Sequence, residues 1–138
     1  MLWEEVKIKV VDIELFKRKV LIFVGSHEAF KMWMAHLHIP KSWERLAESI
    51  QYSKNKNVVG SYWYNKNDGN GIIELPKYPK YPTEIATAAH EALHAVLHMM
   101  HYVGIPVIPG DSNEAYTYCL ELLIENILEE DDYETLNF

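Results

Sequence analysis

Cysteine and long apolar runs are scarce in this chain of 138 residues. The single cysteine, Cys119, excludes a framework of internal disulfides and suits a reducing compartment. No stretch reaches the ~18 apolar residues that a membrane-spanning helix needs. The amino-terminal segment also lacks the basic region and unbroken apolar core of a secretion signal. We therefore expect a cytoplasmic protein with no membrane partner.

Basic residues are missing from the carboxyl-terminal part of the chain. All 13 Lys and Arg lie in residues 1–80, beside 9 acidic residues, whereas residues 81–138 hold 11 acidic residues and no Lys or Arg. Such a field attracts cations and disfavours a nucleic-acid partner. Five of these negative charges fall in "EEDDYE", which we interpret as part of a solvated acidic tail.

Apolar residues, in contrast, are abundant enough for a core. The chain is 49% hydrophobic and 12% aromatic, and its length is that of one ordinary domain. No repeat, linker or low-complexity tract divides it. We predict a single domain over 1–138, with a strand, helix and hairpin half over 1–82, two helices over 83–130 and the acidic tail over 131–138.

The first half contains strand and helix signals in turn. "VLIFVG" (20–25) is rich in β-formers and ends at a glycine, which predicts a buried strand. Ser26 can cap a helix that stops before Pro40. "KSWERLAESIQYS" (41–53) has a helical apolar face, which predicts a second helix.

A hairpin is predicted where "NVVGSYWYN" and "GIIELP" flank the turn sequence "KNDGN". Three prolines in "PKYPKYP" then predict an irregular connection. The next segment reads as a helix with Thr83 as its N-cap and Gly104 at its end. A last helix over 111–130 begins at Asp111 or Ser112. This order of elements describes a small α+β domain.

The candidate metal-binding and catalytic residues lie in "HEALH", within the first of these two helices. His90 and His94 are four residues apart, so on a helix they project from the same side and can reach one ion. Neutral imidazoles suit Zn²⁺. Glu91 lies about a quarter turn away, where it can reach a metal-bound water. This H-E-x-x-H pattern predicts a zinc cofactor, with Glu91 as the general base.

A catalytic zinc site normally takes three protein ligands, so a third is needed. His98 and His101 lie further along the helix and read as surface histidines. Glu114, on the next helix, can face the histidine pair, although with Asp111 as N-cap it would also complete a capping box. Glu121, two turns further along that helix, is the fallback ligand.

The pairing of "HEALH" with "NEA" twenty residues on resembles the gluzincin zinc metallopeptidases, the thermolysin-like class. "HEALHAVLH" with "EAYTYCLELL" is also similar to the ImmA/IrrE-like metallopeptidases of phages and bacteria. The resemblance implies that His90, His94 and Glu114 are zinc ligands and Glu91 the catalytic base. It departs from the thermolysin-like pattern at Tyr118, where that class has an aspartate.

The fold implied is a minimal zincin-like domain. It consists of a small, mostly antiparallel sheet with an edge hairpin, packed on the HExxH helix and the glutamate-bearing helix. The activity implied is hydrolysis of peptide bonds in a peptide or protein substrate, and in this family the partner can be a transcriptional repressor. We expect the substrate to pair with the edge hairpin, where Tyr62 and Trp63 are candidate contacts together with Tyr118.

Two other functions fit the same motif. A non-catalytic zinc-binding or interaction domain would retain the scaffold, and an enzyme acting on a non-peptide amide would retain the site. Partners for the oxyanion are open, with Tyr102, His101 and Tyr118 as candidates. Peptide deformylases join H-E-x-x-H to a cysteine ligand, but that cysteine precedes the motif. We therefore interpret Cys119 as a buried structural thiol.

Overall fold

The structure is a computed structural model that describes residues 5–36, 43–45, 60–108, 110 and 113–137. Within these ranges six strands form one sheet and three α-helices pack on it. The elements in chain order are β1 Glu5–Ile13, β2 Arg18–Val24, α1 His27–His36, β3 Trp43–Arg45, β4 Ser61–Asn65, β5 Gly71–Leu75, α2 Pro82–Tyr102, α3 Asn113–Leu128 and β6 Glu134–Asn137. The α+β class predicted from the sequence is confirmed.

The sheet is mixed, in the order β3-β4-β5-β2-β1-β6. Strands β2 and β5 are parallel, and the other neighbours are antiparallel. The predicted hairpin is present, since β4 pairs with β5 across the turn. The strand predicted at 20–25 is also present, as β2. The sheet thus places β5 at its centre and the start of β4 beside α2.

Alternation along the strands divides the core into two layers, because successive side chains of a strand point to opposite faces. On one face, residues such as Val20, Ile22, Ile73 and Leu75 pack against α2 and α3. On the other face, Phe23 and neighbouring apolar residues pack against α1. The two helices that carry the motif residues therefore share one side of the sheet.

The predicted start of helix α1 is confirmed. The backbone N–H of Ala29 donates to Ser26 Oγ at 3.1 Å, the bond expected from an N-cap serine. Helix α2 ends as predicted at Gly104, whose φ of +82° suits glycine. Its N–H donates to His101 O and that of Ile105 to Met100 O, at 3.1 and 2.8 Å, as in a Schellman motif.

The start of α2 differs from the prediction by two residues. Tyr81, not Thr83, is the N-cap, because Pro82 already has the φ of a first helical residue and needs no N–H partner there. Glu84 then reaches back, and its carboxylate accepts the N–H groups of Lys80 and Tyr81 at 3.0 and 3.1 Å. The helix is therefore anchored by a glutamate at its third position.

The helix predicted over 41–53 is wrong at residues 43–45, the part that the structure describes. These residues form β3, which pairs antiparallel with residues 63–65 of β4. The apolar spacing was helical, but hydrogen bonds to an open strand edge outweighed it. The pairing also corrects the predicted edge hairpin, because β5 is central and β3 lies outside β4. The remainder of 41–53 falls outside the described residues.

The acidic tail is not simply a solvated end. Residues Glu130–Asp132 form a short 3₁₀ turn, and β6 pairs with β1 from Glu5↔Asn137 to Ile8↔Glu134. Strand β1 had no counterpart in the sequence-based prediction. Strand β6 has no strong local pattern and depends on its pairing with β1. Strand β1 does have one, because Val6, Ile8 and Val10 alternate with lysines, and this signal was missed. Asp111 and Ser112, the predicted starts of α3, lie outside the described residues.

Candidate metal centre

The two histidines of the motif lie side by side on α2. Their Nε2 atoms are 3.0 Å apart, and the rings meet edge to face with centroids 4.6 Å apart. One helical turn separates the residues, which is why both nitrogens point to one place. The side chain of His90 is 57% exposed, so the pair opens towards solvent.

Glu91 lies beneath this pair. It is 1% exposed, and its Oε1 is 3.8 Å from His90 Nε2. One ligand atom from each of His90, Glu91 and His94 lies within 4.8 Å of the other two, and no other group of this kind occurs among the described residues. A buried carboxylate next to one exposed and one half-buried imidazole is an arrangement suited to acid–base chemistry at a metal.

The histidine pair fits a zinc ion. Two nitrogens bound to Zn²⁺ at about 2.0–2.1 Å with a tetrahedral angle would be about 3.4 Å apart. The 3.0 Å separation of the Nε2 atoms is a few tenths of an ångström from that value. The two nitrogens share a hydrogen bond in this structure, and an ion held by both would replace that bond.

Strand β4 forms one wall beside the site. A Cβ added to Gly60 would lie 2.9 Å from Glu91 Cγ and 3.0 Å from Thr87 Cγ2. Further along the strand, the ring of Tyr64 lies 4.1 Å from that of His98. Strand β4 therefore runs beside α2 in the same direction, and Gly60, the residue before the strand, lies close against the side chain of Glu91.

The predicted third ligand stands apart from the cluster. Glu114 is exposed in the first turn of α3, and its carboxylate is not within the 4.8 Å group. Glu121, the fallback, is also exposed and outside the group. Helix α3 nevertheless packs through Ala115 and Tyr116 on the core that α2 shares. The role of Glu114 as a ligand stays a prediction.

The predicted substrate contacts are placed differently from one another. Tyr62 is fully buried in the core and offers no surface to a substrate. Trp63 points to the other face of the sheet, where its ring lies 5.3 Å from Phe30 and its Nε1–H donates to Glu74 Oε1 at 3.1 Å. Strand alternation thus places the two side chains on opposite faces of the sheet, and their contact with a substrate stays a prediction. Tyr118 is exposed on α3, and its contact with substrate stays a prediction.

His98 was interpreted as a surface histidine and is not one. It is half-buried between α2 and β4, with its ring against Tyr64 and near Tyr62. Burial, helped by the nearby charge of His101, lowers the pKa of His98. His101 itself is exposed, as predicted. The sequence did contain a signal for this position. His98 comes four residues after His94, so it lies on the same side of α2, one turn further along.

Cys119 lies on α3 and is fully buried among apolar residues, as predicted for a structural thiol. Burial raises the pKa of this thiol, which keeps it protonated and unreactive. It is therefore unsuited to bind a metal.

Comparison with known proteins gives no relative: no family model, no curated protein and no solved structure matches this chain. Among the described residues, no helix is both long enough and apolar enough to cross a membrane.

Proposed function

We propose that this chain is a zinc-dependent metallopeptidase on a minimal zincin-like fold. The observation that supports it most is the 3.0 Å separation of His90 Nε2 and His94 Nε2 directly above the buried carboxylate of Glu91. The absence of Lys and Arg from residues 81–138 adds a field that attracts a cation. Each feature has a defined part in metal-assisted hydrolysis.

Each residue of the site has a separate role in the proposed hydrolysis. His90 and His94 hold the ion, and Glu114 is the proposed third ligand. Bound zinc supplies Lewis acidity and a water of lowered pKa. Glu91 takes the proton of the attacking water and delivers it to the leaving amine when the peptide bond breaks. Gly60 and Thr87 hold the Glu91 side chain in place for this transfer.

The substrate is an extended peptide that lies across the solvent-facing side of α2, where His90 is exposed. By resemblance to the ImmA/IrrE-like enzymes, it belongs to one specific partner protein such as a transcriptional repressor.

A second candidate function is a zinc-binding interaction domain without catalysis. It is favoured by the position of Glu114 outside the ligand cluster, since an incomplete site can bind zinc without activating water. The two functions differ in what Glu91 does. In the enzyme Glu91 is essential, and in the interaction domain it can be replaced at no cost.

Elemental analysis and a peptide-library assay together test the proposal. We expect one zinc per chain in the untagged protein, with loss of zinc in His90→Ala and His94→Ala but not in His101→Ala, an exposed histidine of the same helix. Glu114→Ala should weaken zinc binding and Glu121→Ala should not. Glu91→Gln should keep zinc and lose hydrolysis.

Two results would contradict the proposal. If the wild-type protein takes up no zinc from a micromolar solution, the proposed metal site is ruled out. If Glu91→Gln hydrolyses peptides at the wild-type rate, Glu91 is not the general base. Zinc binding without any peptide hydrolysis would favour the interaction domain.

A further inference from the structure

Two polar atoms lie buried between α2 and β4, one helical turn beyond His94. They are Tyr62 Oη and His98 Nδ1, and neither has a hydrogen-bond partner among the described residues. The rings of these two residues have centroids 5.9 Å apart. Because buried polar atoms are almost always hydrogen-bonded and these two make no direct bond, they point to one shared interaction through a single bridging water.

The surrounding residues bring the Tyr62 hydroxyl towards His98. A Cβ on Gly71 would be only 2.6 Å from Tyr62 Oη, so the hydroxyl lies against the backbone of β5 there. Gly71 is opposite Tyr64 in the β4–β5 ladder, and Tyr64 packs on the His98 ring at 4.1 Å. The hydroxyl, Gly71, Tyr64 and His98 thus form one compact cluster.

The chemistry of this cluster fixes which atom donates. Burial raises the pKa of Tyr62, so its hydroxyl keeps its proton and can donate it. Burial also lowers the pKa of His98, so its ring is neutral and carries one proton. If the hydroxyl donates towards Nδ1, the imidazole proton must be on Nε2.

We propose that Tyr62 holds His98 in the tautomer protonated on Nε2, and that this N–H donates a hydrogen bond to the carbonyl oxygen of a substrate bound at the His90–His94 site. The second half rests on the proposed function. His98 follows His94 by one turn, about 6 Å along the helix axis, within reach of a peptide that extends along α2 from the histidine pair. In this scheme His98 is a catalytic residue and Tyr62 a positioning residue.

Long-range ¹H–¹⁵N correlation spectra of the imidazole rings test the first half on the full chain. His98→Gln assigns the His98 signals. We expect the Nε2-protonated tautomer in the wild type and a mixture of tautomers in Tyr62→Phe, which keeps the ring and its packing. A wild-type ring protonated on Nδ1, or the same tautomer in both proteins, would overturn the pairing.

Peptide hydrolysis tests the second half. His98→Leu should lower kcat by about 100-fold, the usual loss for one donor to a developing oxyanion, with zinc affinity unchanged. His98→Gln, which keeps a donor near the Nε2 position, should recover part of the rate. His36→Leu, at an exposed histidine of α1 on the other face of the sheet, is the matched control and should hydrolyse peptides like the wild type.

The outcomes separate the two proposals. Unchanged kcat in His98→Leu, with zinc bound and peptide hydrolysed, overturns the role of His98 alone. A wild-type protein that binds no zinc, or binds it without hydrolysing peptides, defeats the proposed function and the substrate contact with it. The tautomer measurement still decides the Tyr62–His98 pair in that case.

Discussion

The Nε2 atoms of His90 and His94 lie 3.0 Å apart, and Glu91, the residue after the first of them, is buried below the pair. A single helix thus places an exposed and a half-buried imidazole beside a carboxylate that faces the protein interior. The difference follows from the helical period, since neighbouring residues are about 100° apart around the axis. The placement of Glu91 then depends on what packs against that side of α2, which is β4.

Gly60→Ala should displace the Glu91 side chain. The new Cβ would be 2.9 Å from Glu91 Cγ and 3.0 Å from Thr87 Cγ2, closer than side chains approach in a packed interior. We expect a loss of about 1–3 kcal/mol in the free energy of unfolding, as for other overpacked sites. Hydrolysis should fall while zinc content stays near that of the wild type. Denaturant unfolding and elemental analysis give these quantities.

The double variant Gly60→Ala with Thr87→Ser is the control, because serine lacks the methyl group in conflict and keeps the hydroxyl. It should recover part of the stability. Wild-type stability and activity in Gly60→Ala alone would show that β4 does not position Glu91.

Glu84→Gln should remove a pH-dependent part of the stability. Lys77, with the N–H groups of Lys80 and Tyr81, holds the pKa of Glu84 at about 2, below its usual value of 4.5. A carboxyl with a lowered pKa in the folded state stabilises above the unfolded pKa, and this contribution disappears as pH falls from about 4.5 to about 2. The wild type should be more stable than the variant at neutral pH.

Urea unfolding across this pH range measures the effect. The difference between the two proteins should shrink steadily towards the acid end. Glu125→Gln, an exposed glutamate of α3, should show no such trend. A constant difference between wild type and Glu84→Gln at every pH would contradict the prediction.

Lys9→Met should destabilise the junction of β1, α3 and the tail. Lys9 is buried, and its Nζ donates to the carbonyl oxygens of Asn126 and Glu129, each at 2.6 Å, at the end of α3. It also lies 4.3 Å from the ring centroid of Tyr133. Hydrogen bonds from a charged group are typically worth ~1.5–3 kcal/mol, so we expect a loss of about 2 kcal/mol.

Lys7→Met is the matched control on the same strand. Lys7 is more exposed and pairs with Glu5, and exposed ion pairs contribute about 0–1 kcal/mol. Chemical denaturation of the two variants ranks them. A Lys7 effect as large as that of Lys9 would argue against a specific role for the buried lysine.

Leu136→Ala should show that the acidic tail belongs to the fold. Leu136 in β6 packs on the α1 side of the sheet, near the fully buried Val6. Because the side chain is only half-buried, we expect a loss of about 1–2 kcal/mol, less than for a fully buried leucine. Asn137→Ala, an exposed neighbour, should change the melting temperature little. Equal melting temperatures for wild type and Leu136→Ala would instead support the original prediction of a solvated tail.

The sequence by itself determined the elements whose information is local. The apolar periodicity and Gly104 defined α2, the Ser26 cap defined the start of α1, and the "KNDGN" turn defined the β4–β5 hairpin. The spacing of His90 and His94 likewise predicted that they lie together, because a helix turns by a constant angle per residue.

Tertiary structure decided whatever depends on distant residues. Residues 43–45 became a strand because β4 offered an edge, and the tail became β6 because β1 did. Packing buried Tyr62 and half-buried His98, and it left Glu114 exposed outside the ligand cluster. The spacing of residues along the chain determines how their side chains are oriented around one helix. The residues that contact those side chains come from distant segments of the chain. This is why the histidine pair could be predicted and its surroundings could not.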